Sequence, residues 1–452
     1  MRKLTKRWQL FVYAVSAMGV NMLNLMMGSY LCSALIAGGF EQTARQFQTY
    51  KGYDLVIAGV WAGFVLVAKI IDGIIDIPMA SLTDRLRSRW GRRRPSLIIG
   101  MVPMLAAYAA FLFIPNPSGS TMLNTVYYGL VLCVFYSFYT LTMVTYYATY
   151  TEIVETERER SILSNVKSVC DIVYYILGYV VVRALLNGMN IRIVALLVLP
   201  MALTMLIPLF MIKEPSNLKG ELDTEETPGL FKSLVYTVRN RSFILWMLVY
   251  SFMTFGVQLF LGGINEYFSS TGMSMIFVMM ASFAPVPLTL ILYNKLLHSR
   301  GFAFSFRYTL IMFGAGMLLL FGVAFLQGTA KLVCSILTGL VNSFSIGSMF
   351  AVAYSIPSQL AADEEQETGR SHSAMYFAVQ GLFAGVSTGV ATGLVLTALK
   401  KASEHVTDGG MSPIWFMTAI SAGAMVIALM LTRFLPDSLK TLGIRKVDDT
   451  KE

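Results

Sequence analysis

Charged and turn-forming residues divide the chain into twelve apolar runs of about 20 residues or more. The runs lie near 8–38, 53–82, 96–115, 121–150, 161–187, 191–213, 242–267, 272–297, 304–327, 329–357, 371–399 and 412–435. Hydrocarbon offers no partner for a free peptide group, so each run is expected to be a helix. Only 13% of the 452 residues are charged and 56% are hydrophobic, against about 25% charge in a soluble domain. The expectation is an all-α membrane protein. The start, "MRKLTKRWQLF", continues into apolar sequence without a cleavage-site pattern and reads as the first span.

Lysine and arginine are distributed unevenly between alternate connections. The two termini and the connections on their side hold 26 of the 35, and the opposite connections hold six. That asymmetry puts both termini in the cytoplasm of a plasma-membrane protein. The formal charge of +9 then needs no nucleic-acid partner. The last three basic residues, Lys69, Lys167 and Arg183, lie inside spans. Cys32, Cys133, Cys170 and Cys334 show no CxxC spacing, and His298, His372 and His405 are scattered, so no metal site or cofactor is expected. No nucleophile–base pair or HExxH motif argues for an enzyme.

A polar stretch, "KEPSNLKGELDTEETPGLFKS", separates spans six and seven. It divides the chain into a six-helix bundle at 1–213, a cytoplasmic linker at 214–241, a second bundle at 242–435 and a tail at 436–452. The halves are related by a shift of 210 residues. "TDRLRSRWG" (83–91) then overlies "YNKLLHSRG" (293–301), with Gly91 on Gly301. The same shift lays "ETERERS" (155–161) over "EQETGRS" (365–371). Six spans separate the copies, so the repeat is parallel. This predicts the major facilitator fold, two pseudo-symmetric six-helix bundles around a central cavity.

Span two carries Lys69, Asp72 and Asp76 at helical spacing, which puts them on one stripe. A charge at membrane depth costs at least about 2.5–3.5 kcal/mol, so the three must face water, each other or an ion. Pro78 favours a kink near residue 74. Span five carries a second stripe, Lys167 and Asp171. The five charges fall one positive short of neutral, which a bound Na⁺ or H⁺ would balance. The span-eight positions equivalent to Asp72 and Asp76 are Ser282 and Val286, so the carboxylates are not repeated. The competing reading is that Lys69–Asp72 and Lys167–Asp171 are structural pairs.

"AKIIDGIIDIPMASLTDRLRSRWGRRRP" (68–95) resembles the signature of the glycoside–pentoside–hexuronide:cation symporter family, the group of the melibiose permease. The resemblance implies Na⁺- or H⁺-coupled solute transport by alternating access, with Asp72 and Asp76 binding the cation. It implies that Lys69 replaces a basic residue of the same stripe, and that Lys167 replaces a family arginine that faces the substrate. Several departures accompany it, the first being Ile77 before Pro78 where the family has proline directly after the second aspartate. Ungapped alignment puts Asn21 and Thr142 where sugar carriers of the family use aspartates, and Gly385 where they use a lysine. Tyr139 falls where a threonine hydroxyl would meet the cation. The solute is thus expected to be a glycoside or sugar derivative outside the galactoside type. The alternative is a proton-coupled exporter or a carrier of amphipathic, lipid-like solutes. A non-transporting sensor is the weakest reading.

Asn21, Lys69, Thr142, Tyr146, Lys167 and Asp171 are therefore the expected substrate-binding residues, with Tyr147 and Tyr175 as further aromatic lining. The arginines of 85–94 fit topology and anionic lipid. They also fit a cytoplasmic gate made by Asp84, Arg85 and Arg92 with Glu152, Arg160 and Arg370. "GLFAGVSTGVATG" (381–393) reads as a close-packing helix face. The expected partners are a small solute, a coupling cation and the bilayer, with the protein a monomer.

Overall fold

The computed structural model describes residues 7–36, 39–40, 54–117, 119–153, 157–212, 214, 216, 241–368, 373–403 and 411–435. Side chains are also outside the described set at 76–77, 80–85, 151–152, 157–162 and 361–378, among other helical positions. Among the described residues the chain is helical, with no strand. Ten helices among the described residues are long and apolar enough to cross a membrane.

With the helix through Glu157–Leu185, and with Val286–Val323 contributing to two passes, these ten make twelve. The first four passes are α1 (Arg7–Ala34), α2 (Ala58–Arg85), α3 (Arg93–Phe111) and α4 (Met122–Glu152). The fifth, α5, runs through Glu157–Ile176, a π turn at Leu177–Val181, and Val182–Leu185. Next come α6 (Ile191–Met211) and α7, made of Arg241–Gly262 and Ile264–Thr271. The helix Val286–Val323 has 38 residues, about 57 Å at 1.5 Å each, which is too long for one crossing. Gly301 breaks it with φ 78 and ψ 173. The part before the break, with Met275–Phe283, is α8, and the part after it is α9. The last three are α10 (Gly328–Thr368), α11 (Ser373–Thr388, a π turn at Gly389–Val395, and Leu396–Ser403) and α12 (Pro413–Phe434). Helix α2 runs unbroken through Pro78.

The packing repeats with a period of six. In the first half α1 packs on α5 and α6, α2 on α4, and α3 on α4 and α6. Adding six to each number gives the pairs of the second half: α7 on α11 and α12, α8 on α10, and α9 on α10 and α12. The two halves meet along α2–α11, α5–α8 and α1–α7, which the same two-fold operation relates. Gly91 and Gly301, equated by the 210-residue shift, share the left-handed backbone (φ 81 and 78) that only glycine adopts freely. The faded sequence repeat is therefore a backbone repeat.

The α2–α11 seam is backbone against backbone. A Cβ on Gly73 would stand 2.7 Å from the Gly381 carbonyl oxygen and 2.7 Å from Leu382 Cα, and one on Gly385 would strike the Lys69 carbonyl. The small-residue face of 381–393 thus packs as its composition implies. It also explains Gly385: a lysine side chain has no room where the α2 backbone passes.

Candidate functional site

A cavity of about 520 Å³ lies between the halves. Its first-half wall carries Asn21, Lys69, Asp72, Tyr136, Tyr139 and Thr140 from α1, α2 and α4. Its second-half wall is milder: Gln258 from α7, and Thr388, Thr392 and Thr397 from α11, with Lys400 at the end remote from the chain termini. That end is called distal below.

Asp72 is partly buried and shared. Thr140 donates its hydroxyl to Oδ1 at 2.6 Å, and Lys69 Nζ stands 3.4 Å from Oδ2. The second distance exceeds the 2.7–2.9 Å or so of a good charge-assisted bond. Lys69 instead sits over the Tyr136 ring, 3.5 Å from its centroid, a cation–π contact. The structural pairing is present but loose. Asp76 lies one turn further along α2, and its side chain is outside the described residues.

The second stripe reaches the cavity through Asn21. Lys167 and Asp171 form a close ion pair on α5. The Asn21 side chain neighbours the Asp171 carboxylate, and Tyr139 donates to Asn21 Oδ1 at 3.1 Å. Neither Lys167 nor Asp171 lines the cavity, whereas Asn21 does. Tyr139 and Thr140 are consecutive on α4. One reaches the α5 stripe through Asn21 and the other holds Asp72, so α4 ties the two stripes into one network.

Two expected substrate residues point elsewhere. Thr142 is fully buried, donates to the Phe138 carbonyl at 2.8 Å, and packs on Gly100 of α3. Two residues on a helix turn about 200°, so 142 faces away from 140. Tyr146 is also fully buried. It stacks on Tyr13 with centroids 4.8 Å apart, and each ring hydroxyl bonds the other residue's carbonyl. It fastens α1 to α4. Its neighbour Tyr147 lines the cavity, as do Tyr174 and Tyr175. Tyr175 stacks on Phe283 of α8 at 5.3 Å and 8°, so this ring belongs to the seam as well.

The gate residues expected at the arginine-rich face, Asp84, Arg85, Glu152, Arg160 and Arg370, have side chains outside the described residues. Arg92 is half-buried, and its carbonyl accepts from Ser96 at 2.7 Å. Beside it Glu214 bonds the Arg93 amide at 2.8 Å, placing a carboxylate at the start of α3, where the helix dipole favours it.

At the distal end the structure shows a polar cluster that sequence reasoning missed. Glu266 of α7 is 0% exposed and pairs with Lys400 of α11 at 2.6 Å. Ser33 of α1 donates to Glu266 and accepts from Lys400 at 2.5 Å. Arg183 donates to Ser269 at 2.7 Å, and Asn265 donates to the Ser29 carbonyl at 2.6 Å. Lys401 pairs with Asp54. The Ser33, Arg183, Asn265 and Lys401 contacts join the two halves. The one hint in the sequence was Arg183, a cation inside a span.

Residues 12–435 match the family described as MFS/sugar transport protein. An uncharacterized symporter of Synechocystis, sll1374, is 34% identical over 133 residues, covering 27% of this chain and 24% of that protein. The inner membrane symporter YicJ of Escherichia coli is 49% identical over 51 residues, 10% of this chain and 11% of its own length. Each match thus spans well under half of the relative. Among solved structures, the nucleoside transporter NupG superposes with a TM-score of 0.58 at 13% identity, covering 95% of this chain and 98% of that one. A bacterial homologue of the iron transporter ferroportin, in an inward-facing state, gives 0.60 at 12% identity with the same coverage. At such identities the likeness is one of fold.

Proposed function

The chain belongs to the MFS/sugar transport protein family, and we propose that within it this protein is a cation-coupled symporter of a hydroxylated solute. It is a multi-pass secondary transporter, not an enzyme. The proposal concerns the ion, the solute and the residues. The observation that carries it is Asp72, an intramembrane carboxylate on the wall of a cavity shared by both halves. Its Oδ1 is held by Thr140, and its Oδ2 is engaged by Lys69 at only 3.4 Å. Na⁺ takes a carboxylate and a hydroxyl oxygen as ligands, and H⁺ takes the carboxylate alone. Asp76, one turn away, is the second carboxylate of the proposed site.

A coupling ion at Asp72 also affects Lys69. When cation neutralises the carboxylate, Lys69 is freed toward the cavity, where it is available to a solute oxygen. Ion and solute sites one turn apart on α2 would then favour each other, as symport requires. Asn21, Tyr139, Gln258 and the α11 threonines supply neutral donors and acceptors on the remaining walls. Such a lining suits hydroxyl groups and offers little to an acyl chain, so it favours a glycoside or sugar derivative over a lipid-like solute. The symporter names of the two curated relatives support coupling to an ion and name no solute. The basic-residue asymmetry orients the termini to the cytoplasm of the plasma membrane, with bundles at 1–213 and 242–435 joined by 214–241.

The test is uptake into proteoliposomes of a panel of radiolabelled glycosides and pentosides under imposed Na⁺ or H⁺ gradients. The expected result is accumulation driven by one of the two gradients and abolished by Asp72→Asn. Gradient-independent equilibration of every accumulated solute would overturn the coupling.

A further inference from the structure

The distal cluster contains a pattern that plain bundle closure does not require. Ser33 Oγ is held from both sides at once, donating to the Glu266 carboxylate and accepting from the Lys400 ammonium. Glu266 and Lys400 lie on α7 and α11, both in the second half, whereas Ser33 lies on α1, in the first. When the halves part at the distal face, the ion pair stays together and the hydroxyl leaves. Ser33 and Lys400 both line the cavity, so the vacated position opens on the route of the solute. Thr397, about one turn before Lys400, and Gln258, about two turns before Glu266, extend the same polar track inward. Glu266 Oε2 is buried with no hydrogen-bond partner among the described residues, so the carboxylate has acceptor capacity to spare.

We propose that the Glu266–Lys400 pair is a hydroxyl-binding subsite at the distal mouth, filled by Ser33 when that face is closed and by a hydroxyl of the solute when it is open. The inference rests on the transport reading and gives its solute class a first point of contact. A buried ion pair needs its remaining hydrogen bonds satisfied, and stripping one away costs free energy. Exchange of one hydroxyl for another keeps the pair satisfied through opening and closure. A solute docked on the pair must leave it before Ser33 can return, so closure moves the solute inward toward Lys69 and Asn21. The other two buried links, Arg183–Ser269 and Asn265–Ser29, join a single donor to a single acceptor and hold the face shut without such a two-sided seat.

The test uses purified full-length protein with the four native cysteines changed to serine and spin labels at Gly59→Cys and Gly322→Cys. These positions lie at the distal ends of α2 and α9, one in each half, and a Cβ there meets nothing within 4 Å. Ser33→Ala is expected to raise the ratio of long to short label distances roughly 5- to 100-fold, while Ser33→Thr, which keeps the hydroxyl, stays near the parent. D-Glucose, D-xylose and D-glucitol are then titrated into Ser33→Ala. At least one is expected to increase the open fraction further in a saturable way, and Glu266→Gln on that background is expected to abolish the response. Glycine betaine, which has no hydroxyl, is expected to change nothing. An unchanged distance ratio in Ser33→Ala overturns the proposal. So does the absence of a response to every hydroxylated probe, a response that betaine also gives, or a response that survives Glu266→Gln. Failure of the transport reading looks different: the labelled distances respond, but the parent protein shows no cation-driven uptake.

Discussion

Placing a methyl group at Gly73 probes whether the α2–α11 seam is part of a moving interface. The added Cβ would lie 2.7 Å from both Gly381 O and Leu382 Cα. Carbon contacts settle near about 3.5–4.0 Å, so the helices must part by roughly 1 Å. Both opposing atoms are backbone, so no side-chain rotamer relieves the clash. Overpacking of this kind costs about 1–3 kcal/mol. The contact extends from Gly73 against Gly381 out to Gly393 against the Ala62 carbonyl, along the distal half of the seam. Tilting the halves apart at the distal face relieves it. Gly73→Ala should therefore disfavour the closed form by about 5- to 100-fold in population, since 1.4 kcal/mol is a factor of ten. The assay is the Gly59–Gly322 label distance by pulsed spin-resonance spectroscopy, with Gly63→Ala as control, because a Cβ at Gly63 meets nothing within 4 Å. The expected result is a shift to longer distances in Gly73→Ala alone. A folded Gly73→Ala protein with the parent distribution would show that the seam does not move, and would refute the reasoning.

Two further predictions separate neighbouring positions. Thr140→Val removes the donor to Asp72 and should weaken apparent cation affinity about tenfold, whereas Thr142→Val, on the opposite face of α4, should leave it within about twofold; cation titration of thermal stability measures both. Gly91→Ala imposes a side chain at φ 81 and meets the Glu214 carboxylate, so it should destabilise by about 1–3 kcal/mol. Gly301→Ala, its repeat partner at φ 78, should lose a similar amount, read from thermal unfolding in detergent.

The sequence reached different depths for different parts of the molecule. Span count and repeat were legible because membrane solvation imposes them residue by residue. The equivalence of Gly91 and Gly301 followed from a fixed offset and is now visible as a shared backbone conformation. The stripe of Lys69 and Asp72 was legible because periodicity fixes which residues of one helix share a face. Periodicity does not say which neighbouring helix that face meets, nor the phase of a helix rich in polar residues throughout. Helix α4 has threonine or tyrosine at 136, 139, 140, 142, 145, 146 and 147, and the ungapped alignment put Tyr139 at the cation-hydroxyl position where Thr140, one residue on, bonds Asp72. The distal cluster was hidden for another reason. Lys400 sits just past the apolar run of α11 and counted as a loop charge, and its serine partner is 367 positions away. No local pattern signals such a pairing.

The central claim is that Asp72 couples cation to solute, and the most direct measurement is the cation dependence of Asp72→Asn beside the double variant Lys69→Met/Asp72→Asn. At 3.4 Å and an effective dielectric of about 20, the Lys69–Asp72 attraction is about 5 kcal/mol before desolvation, so Asp72→Asn alone should also lower stability. The double variant should recover much of that stability, because no unpaired lysine is left in the membrane. It should not recover cation-stimulated uptake or the cation-induced rise in melting temperature. Retention of both cation responses in Asp72→Asn, or their return in the double variant, would contradict the assignment and leave the pair as a structural one.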